Sequence, residues 1–339
     1  MLYEYLFFFA KAITIVIAVL VVLLGIVAII GKGKLRPKEF LQVKNLNKEY
    51  EKLQHTLREE ILEKSAFKEL TKKEAKQKKA AAKAAEQGEQ KQRIFVVNFH
   101  GDIRASAVTK LREEITAILT VAKETDEVVV RLESAGGMVH AYGLAASQLQ
   151  RLRRHNIPLT AIIDKVAASG GYMMAAVANK IFAAPFAVVG SIGVIAQIPN
   201  FHRLLKKNDI EFEQVMAGQY KRTLTLFGEN TEQGREKFQE EINEAHELFK
   251  SFLLENRNLN IEKVATGEHW YGSRALQLQL IDGIHTSDDY LLQASKEKDV
   301  YEVTYQTKKT FVEKLSSNAQ QGYQSLLETF TKNSSNPLL

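Results

Sequence analysis

The 339-residue sequence contains no cysteine. That absence excludes a disulfide framework, a thiolate nucleophile and cysteine-ligated zinc or iron–sulfur centres, and says nothing about compartment. Aromatic residues are missing from the Lys/Ala stretch between Lys72 and Ala85, where a nucleic-acid-binding segment would interleave stacking rings with its lysines. Nucleic acid is therefore not an expected partner. A strong charge of one sign is also missing: 46 basic residues face 40 acidic ones, a net +6 that is small for this length. What excess there is sits in one place. Residues 32–93 hold 18 basic and 10 acidic residues, while residues 94–339 hold 27 and 29. At 45% apolar residues the chain can build a core, which excludes collagen-like and wholly disordered classes.

A gap in charge runs from Ala12 to Ile30, where Thr14 is the only side chain able to hydrogen-bond. Nineteen helical residues span roughly 29 Å, the thickness of a bilayer's hydrocarbon core. A cleaved signal peptide fits less well, because Lys11 is the only preceding cation and no small-x-small site precedes GKGKLRPK. Residues 12–30 are expected to contact lipid as a retained anchor. Lys32, Lys34, Arg36 and Lys38 follow it, and by the positive-inside rule they place the C-terminal bulk in the cytoplasm.

From Glu49 to Gln87 there is neither Gly nor Pro, and Ala, Lys, Glu and Leu dominate. Leu53, Leu57, Ile61 and Leu62 recur near helical spacing, so a solvated helical or partly disordered spacer is expected, with a lysine-rich surface on anionic headgroups as the functional alternative. After it, IFVVNF (94–99), EVVVRLE (127–133) and PLTAIID (158–164) are β-branched and apolar on both faces, the mark of buried parallel strands. Helical patterns separate them at 107–122 and 139–155, and another runs from about 231 to 256. This alternation predicts an α/β domain. Expected boundaries are an anchor over 1–31, a basic linker over 32–93, the catalytic domain over 94–295 and a C-terminal extension over 296–339. The last 25 or so residues are expected to form a peripheral helix and a loose tail. A second uncharged run, 181–198, is broken by Pro185, Gly190 and Gly193 and reads as two short strands with a turn.

Two strand ends carry candidate chemistry. One is Ser134-Ala135-Gly136-Gly137 and the other is Ser169-Gly170-Gly171, each just before a helix. Ligands collect outside the carboxyl ends of strands in open α/β sheets, and glycine lets backbone N–H groups approach a reacting atom. Ser169 is a candidate nucleophile, and the Gly136 and Gly170 N–H groups are candidates for an oxyanion hole. Each glycine pair equally suits a plain tight turn. Ala167 breaks the G-x-S-x-G elbow, which disfavours an ordinary α/β-hydrolase. None of the eight histidines lies in a recognisable Ser-His-Asp order. A lysine base is the other route to an activated serine, if burial favours its neutral amine.

SAGGMVHAYG, DKVAASGGYMMA, PFAVVGSIGV, MAGQYKRT and TGEHWYG…AL…LIDGI follow one another in an order and spacing similar to the signal peptide peptidase A family of Ser/Lys proteases. The resemblance is dense over about 94–290. It implies a ClpP/crotonase-like α/β fold with repeated β-β-α and βα units behind one transmembrane helix and a helical linker. It also implies Ser169 as nucleophile, Lys221 as general base, Ser191 as a support for the lysine ammonium, and Gly136 in the oxyanion hole. Ala135 stands where the family usually has proline, so a slightly less rigid turn is expected. Neither metal nor cofactor is implied. The implied partners are peptide or protein substrates, such as signal-peptide remnants or unfolded segments, and further copies of the chain in a homo-oligomer. The implied setting is a bacterial inner membrane with a periplasmic catalytic domain, against the positive-inside count. The dyad also bears on 181–198: a bilayer crossing there would put Ser169 and Lys221 on opposite sides, out of proton-transfer reach. A crotonase-type acyl-CoA enzyme and a catalytically silent membrane scaffold are the rival readings.

Overall fold

The structure is a computed structural model and describes residues 2–32, 39–86 and 91–307. Two compact units divide the chain, residues 1–41 with 305–339 and residues 42–304. In the first, helix α1 (Leu2–Lys32) covers the uncharged run and adds an aromatic N-terminal turn, Tyr3 to Phe9, with exposed rings. Its 31 residues rise about 46 Å. The Thr14 hydroxyl donates to Ala10 O at 2.8 Å, so the one polar side chain of the run is satisfied within the helix. Among the described residues this is the one helix long and apolar enough to cross a membrane.

The chain continues as β1 (Glu39–Asn45), α2 (Leu46–Ile61) and α3 (Lys64–Glu86). Asn45 caps α2 by accepting from the Lys48 N–H at 3.0 Å. The two helices meet through His55 against Phe67, ring centroids 4.9 Å apart, and an Arg58–Glu74 ion pair. The linker's described part, 39–86, is thus largely helical as composition suggests, but it begins with a strand that composition does not suggest.

The sheet proper is built from β2 (Arg93–Gly101), β3 (Glu127–Ser134), β4 (Leu159–Ile163), β5 (Val166–Ala168), β6 (Lys180–Ala183), β7 (Val188–Gly190), β8 (His269–Tyr271), β9 (Gly283–Ile284) and β10 (Asp299–Thr307). Interleaved helices are α4 (Val108–Leu119), α5 (Val139–Arg154), α6 (Gly170–Ala176), α7 (His202–Lys207), α8 (Glu232–Asn256), α9 (Ile261–Val264), α10 (Gly272–Gln277) and α11 (Ser287–Ala294). The main path runs β1-β10-β2-β3-β4-β6-β9, and β5, β7 and β8 branch from β3. The β2, β3, β4, β6, β9 and β10 pairings are parallel, whereas β7 and β8 pair antiparallel. The two short strands expected within 181–198 are β6 and β7.

Alternation along β3 sorts the core into two layers. Val128, Val130 and Leu132 face one cluster with Leu111 and Ile115 of α4 and Leu149 of α5, while Val129 faces a smaller one with Leu46 of α2 and Leu291 of α11. Burial on both faces explains why the strands are apolar throughout. One buried carboxylate is fully engaged: Glu127 accepts from Thr160 (2.8 Å), Tyr290 (2.6 Å) and Lys298 (3.1 Å). Burial first, then the Glu127 charge, pushes the Tyr290 hydroxyl up. The expected domain end at 295 falls short of β10, which pairs with β2 from Asp299↔Arg93 to Glu302↔Val96 and belongs to the same sheet. The expected C-terminal helix and tail lie outside the described residues.

Candidate active site

Two three-residue strands set the site. β5 and β7 run parallel with Ala168 opposite Gly190, so Ser169 and Ser191 emerge side by side from their ends. Both serines have φ +52°, a region non-glycine residues rarely enter, and Ser169 has ψ −120°. The turns are pinned from outside: the Ser169 N–H donates to Gly190 O and the Ser191 N–H to Glu268 O, each at 2.7 Å. Such a conformation costs about 1–3 kcal/mol and persists only where its surroundings impose it. Here the imposed turn leads straight from β5 into the buried helix α6, lifting the Ser169 side chain off the strand end. Ser169 is half-buried, and its Oγ has no hydrogen-bond partner among the described residues.

The other glycine turn lies directly against it. Gly136 has φ +90°, and a Cβ there would fall 2.7 Å from Ser169 Cβ and 2.8 Å from the Gly170 nitrogen. A Cβ on Gly137 would fall 2.2 Å from Ile103 O. Only glycine fits either position. Gly170 N–H is the first of α6 and has no intrahelical acceptor. The Gly136 N–H is engaged, donating to Ser134 Oγ at 3.1 Å, whereas the next N–H, of Gly137, has no acceptor among the described residues.

Sequence reasoning assigned no role to two neighbours. Ser134 Oγ lies 2.5 Å from the Tyr142 hydroxyl, which donates to Asp102 O at 2.8 Å. Burial above all pushes the Tyr142 hydroxyl up, against the opposing pull of the Ser134 bond, so it stays a phenol. Both residues lie inside the quoted SAGGMVHAYG string, but no local pattern marks them as partners.

Lys221 stands apart. It lies in the irregular stretch between α7 and α8, where its N–H donates to Gly218 O at 3.2 Å. Its side chain is exposed, with no hydrogen bond or ion pair among the described residues. The structure brings Ser169, Ser191, Gly136 and Gly170 together, and it leaves Lys221 outside hydrogen-bond reach of Ser169. No histidine bonds to Ser169 either. The stretch that carries Lys221 exposes Ile210, Val215, Met216, Tyr220, Leu226 and Phe227. Among the described residues no cluster of three His, Asp or Glu side chains is arranged to hold a metal ion.

A backbone-strained serine beside open N–H groups can act on an acyl carbon, and comparison with known proteins gives the family. The model described as peptidase family S49 N-terminal matches residues 1–149, and that described as peptidase family S49 matches residues 151–301. A probable protease SohB of Haemophilus influenzae is 47% identical over 333 residues, 93% of this chain and 94% of the relative. A probable protease SohB of Buchnera aphidicola subsp. Acyrthosiphon pisum is 55% identical over 229 residues, 67% of this chain and 68% of the relative. A putative signal peptide peptidase SppA of Enterococcus faecium is 27% identical over 232 residues, 65% of this chain and 67% of the relative. Among solved structures, a serine-to-alanine mutant of the 1510-N membrane-bound stomatin-specific protease aligns with TM-score 0.40 at 18% identity, over 60% of this chain and 84% of that one. With two family matches that together run from the first residue to residue 301, this chain belongs to peptidase family S49 and is, at that level, a protease.

Proposed function

We propose that the chain is a membrane-anchored serine endopeptidase in which Ser169 is the nucleophile and Lys221 the general base. The observation that carries the reading is Ser169 itself: an unpartnered hydroxyl on a strained strand-to-helix turn, backed by Gly136 and followed by the open N–H of Gly170. The Ser169 oxygen bonds to the scissile carbonyl carbon and its proton passes to the Lys221 amine. The carbonyl's electron pair collects on oxygen as an oxyanion. The Gly170 N–H and the Gly136–Gly137 turn, through the Gly137 N–H, donate to that oxyanion, each donor worth about 3–4 kcal/mol. The lysine returns the proton to the leaving amine, and water then hydrolyses the acyl-enzyme.

The separation of Lys221 from Ser169 within one chain supports completion of the dyad between copies. In a homo-oligomer the exposed apolar side chains around Lys221 would be covered, and exclusion of water favours an uncharged amine. Ser191, beside Ser169, then supports the incoming lysine. An enclosed assembly of this kind suits unfolded or membrane-released peptides, signal-peptide remnants among them. Hydrolysis of a fluorogenic peptide by the detergent-extracted protein tests the assignment. Ser169→Ala and Lys221→Ala should each lower kcat by at least about 10³-fold. Near-native activity in either variant refutes the dyad. Mixing the two dead variants during assembly should restore measurable turnover, since some interfaces then pair an intact serine with an intact lysine. No restoration places both groups in one chain.

A further inference from the structure

The turn that backs Ser169 is held by a hydrogen-bond chain whose direction is fixed by chemistry. Asp102 O can only accept, and the Gly136 N–H can only donate. The single proton of the Tyr142 hydroxyl goes to Asp102 O, 2.8 Å away. Ser134 Oγ, 2.5 Å from that hydroxyl, therefore gives its own proton to Tyr142 and accepts from the Gly136 N–H at 3.1 Å. No proton in the chain is left over. Ser134 is 2% exposed and Tyr142 fully buried, so water does not compete and each bond strengthens the next.

Room for this chain is made by glycine. A Cβ on Gly101 would fall 2.4 Å from both Ser134 Oγ and the Tyr142 hydroxyl, and one on Gly170 would fall 2.4 Å from Tyr142 Cγ. The Tyr142 ring thus lies on Gly170, the residue after Ser169, while its hydroxyl reaches Gly136 through Ser134. One side chain thus touches the segment that follows the reacting serine and, through Ser134, holds the turn that backs it. This matters because glycine at φ +90° has little intrinsic preference, and the peptide before Gly136 can face either way. The Ser134 bond selects the orientation in which the Gly136 N–H points inward, leaving the Gly137 N–H without a protein acceptor among the described residues.

We propose that Tyr142 and Ser134 are positioning residues for peptide hydrolysis, locking the Gly136–Gly137 turn and the Gly170 backbone in the relation that lets the Gly137 and Gly170 N–H groups meet one oxyanion. The proposal rests on the reading of Ser169 as nucleophile. Its test uses Tyr142→Phe and Ser134→Ala in the full detergent-extracted chain, with Ser169→Ala alongside and active sites counted by a fluorophosphonate. Per titrated site, each positioning variant should lower kcat by about 10- to 100-fold, part of the roughly 10²–10³ attached to one oxyanion donor. KM should stay within about twofold. A peptide aldehyde, which adds the Ser169 oxygen across its carbonyl, should lose affinity by the same factor as kcat. The matching peptide alcohol, which forms no adduct, should bind as before. A merely structural role would reduce the number of titrated sites and leave kcat per site intact. That result, or equal losses for aldehyde and alcohol, overturns the proposal while the serine reading stands. Full activity in Ser169→Ala overturns both. Should Tyr142→Phe fail to fold, Ser134→Ala carries the test alone, since it keeps the Tyr142–Asp102 bond.

Discussion

Individual residues at the site are held where they do not rest most easily. Ser169 occupies φ +52°, ψ −120° because the Gly190 carbonyl and the start of α6 impose it, a local cost of about 1–3 kcal/mol. Ser169→Gly removes that cost together with the nucleophile. It should therefore raise the thermal midpoint while abolishing turnover, whereas Ser169→Ala should abolish turnover without the gain. A lower midpoint for the glycine variant would falsify the strain argument. Gly136 gives the opposite case: Gly136→Ala drives a Cβ into Ser169 Cβ and the Gly170 nitrogen, and should cost both stability and rate. These positions were legible in the sequence because serine and glycine at strand ends advertise themselves. Tyr142 was not legible, since its role depends on Gly101 and Gly170, which come together with it only in the folded chain.

Elements are joined by ion pairs that sequence pattern does not reveal, and one of them carries a pH dependence. Asp126, just before β3, accepts from the Arg93 guanidinium and backbone at the start of β2 and from the Lys123 N–H. Burial alone would raise its carboxyl, but the Arg93 bond and the two backbone N–H groups more than offset it and hold it below the ordinary carboxylate range. A depressed folded-state value means stability that is present above the unfolded value near ~3.9 and lost as pH falls through the folded one. Asp126→Asn should therefore lower the midpoint at pH 7 and shrink its fall as pH drops below about 4. An unchanged acid slope excludes Asp126 as a contributor. The strands β2, β3 and β4 were readable because each is buried on both faces and so apolar along its whole length. β1 and β10 were not. β1 reads EFLQVKN and exposes Phe40, Leu41 and Val43, so it lacks the run of a buried strand. β10 finds its partner near the opposite end of the domain in sequence, a pairing no local window contains.

At the scale of the whole molecule, the chain is a protease of family S49 with one long apolar helix near its N-terminus, and its excess of basic residues lies in sequence between that helix and the sheet. The positive-inside rule makes a definite forecast: a C-terminal alkaline phosphatase fusion should be inactive and a fluorescent-protein fusion bright. Replacing Lys32, Lys34, Arg36 and Lys38 with glutamine should weaken or reverse that outcome. An active phosphatase on the unaltered chain would assign the domain to the periplasm, as the resemblance to signal peptide peptidases implies. The parallel seam between β10 and β2 has a practical consequence. A fragment cut at residue 295, where the sequence motifs run out, would strip β10 away and bare the row of unpaired N–H and C=O groups along β2. A naked edge of that kind is a template for another chain's strand, so the shortened protein should be lost to inclusion bodies where one ending at residue 307 is recovered from membranes in detergent.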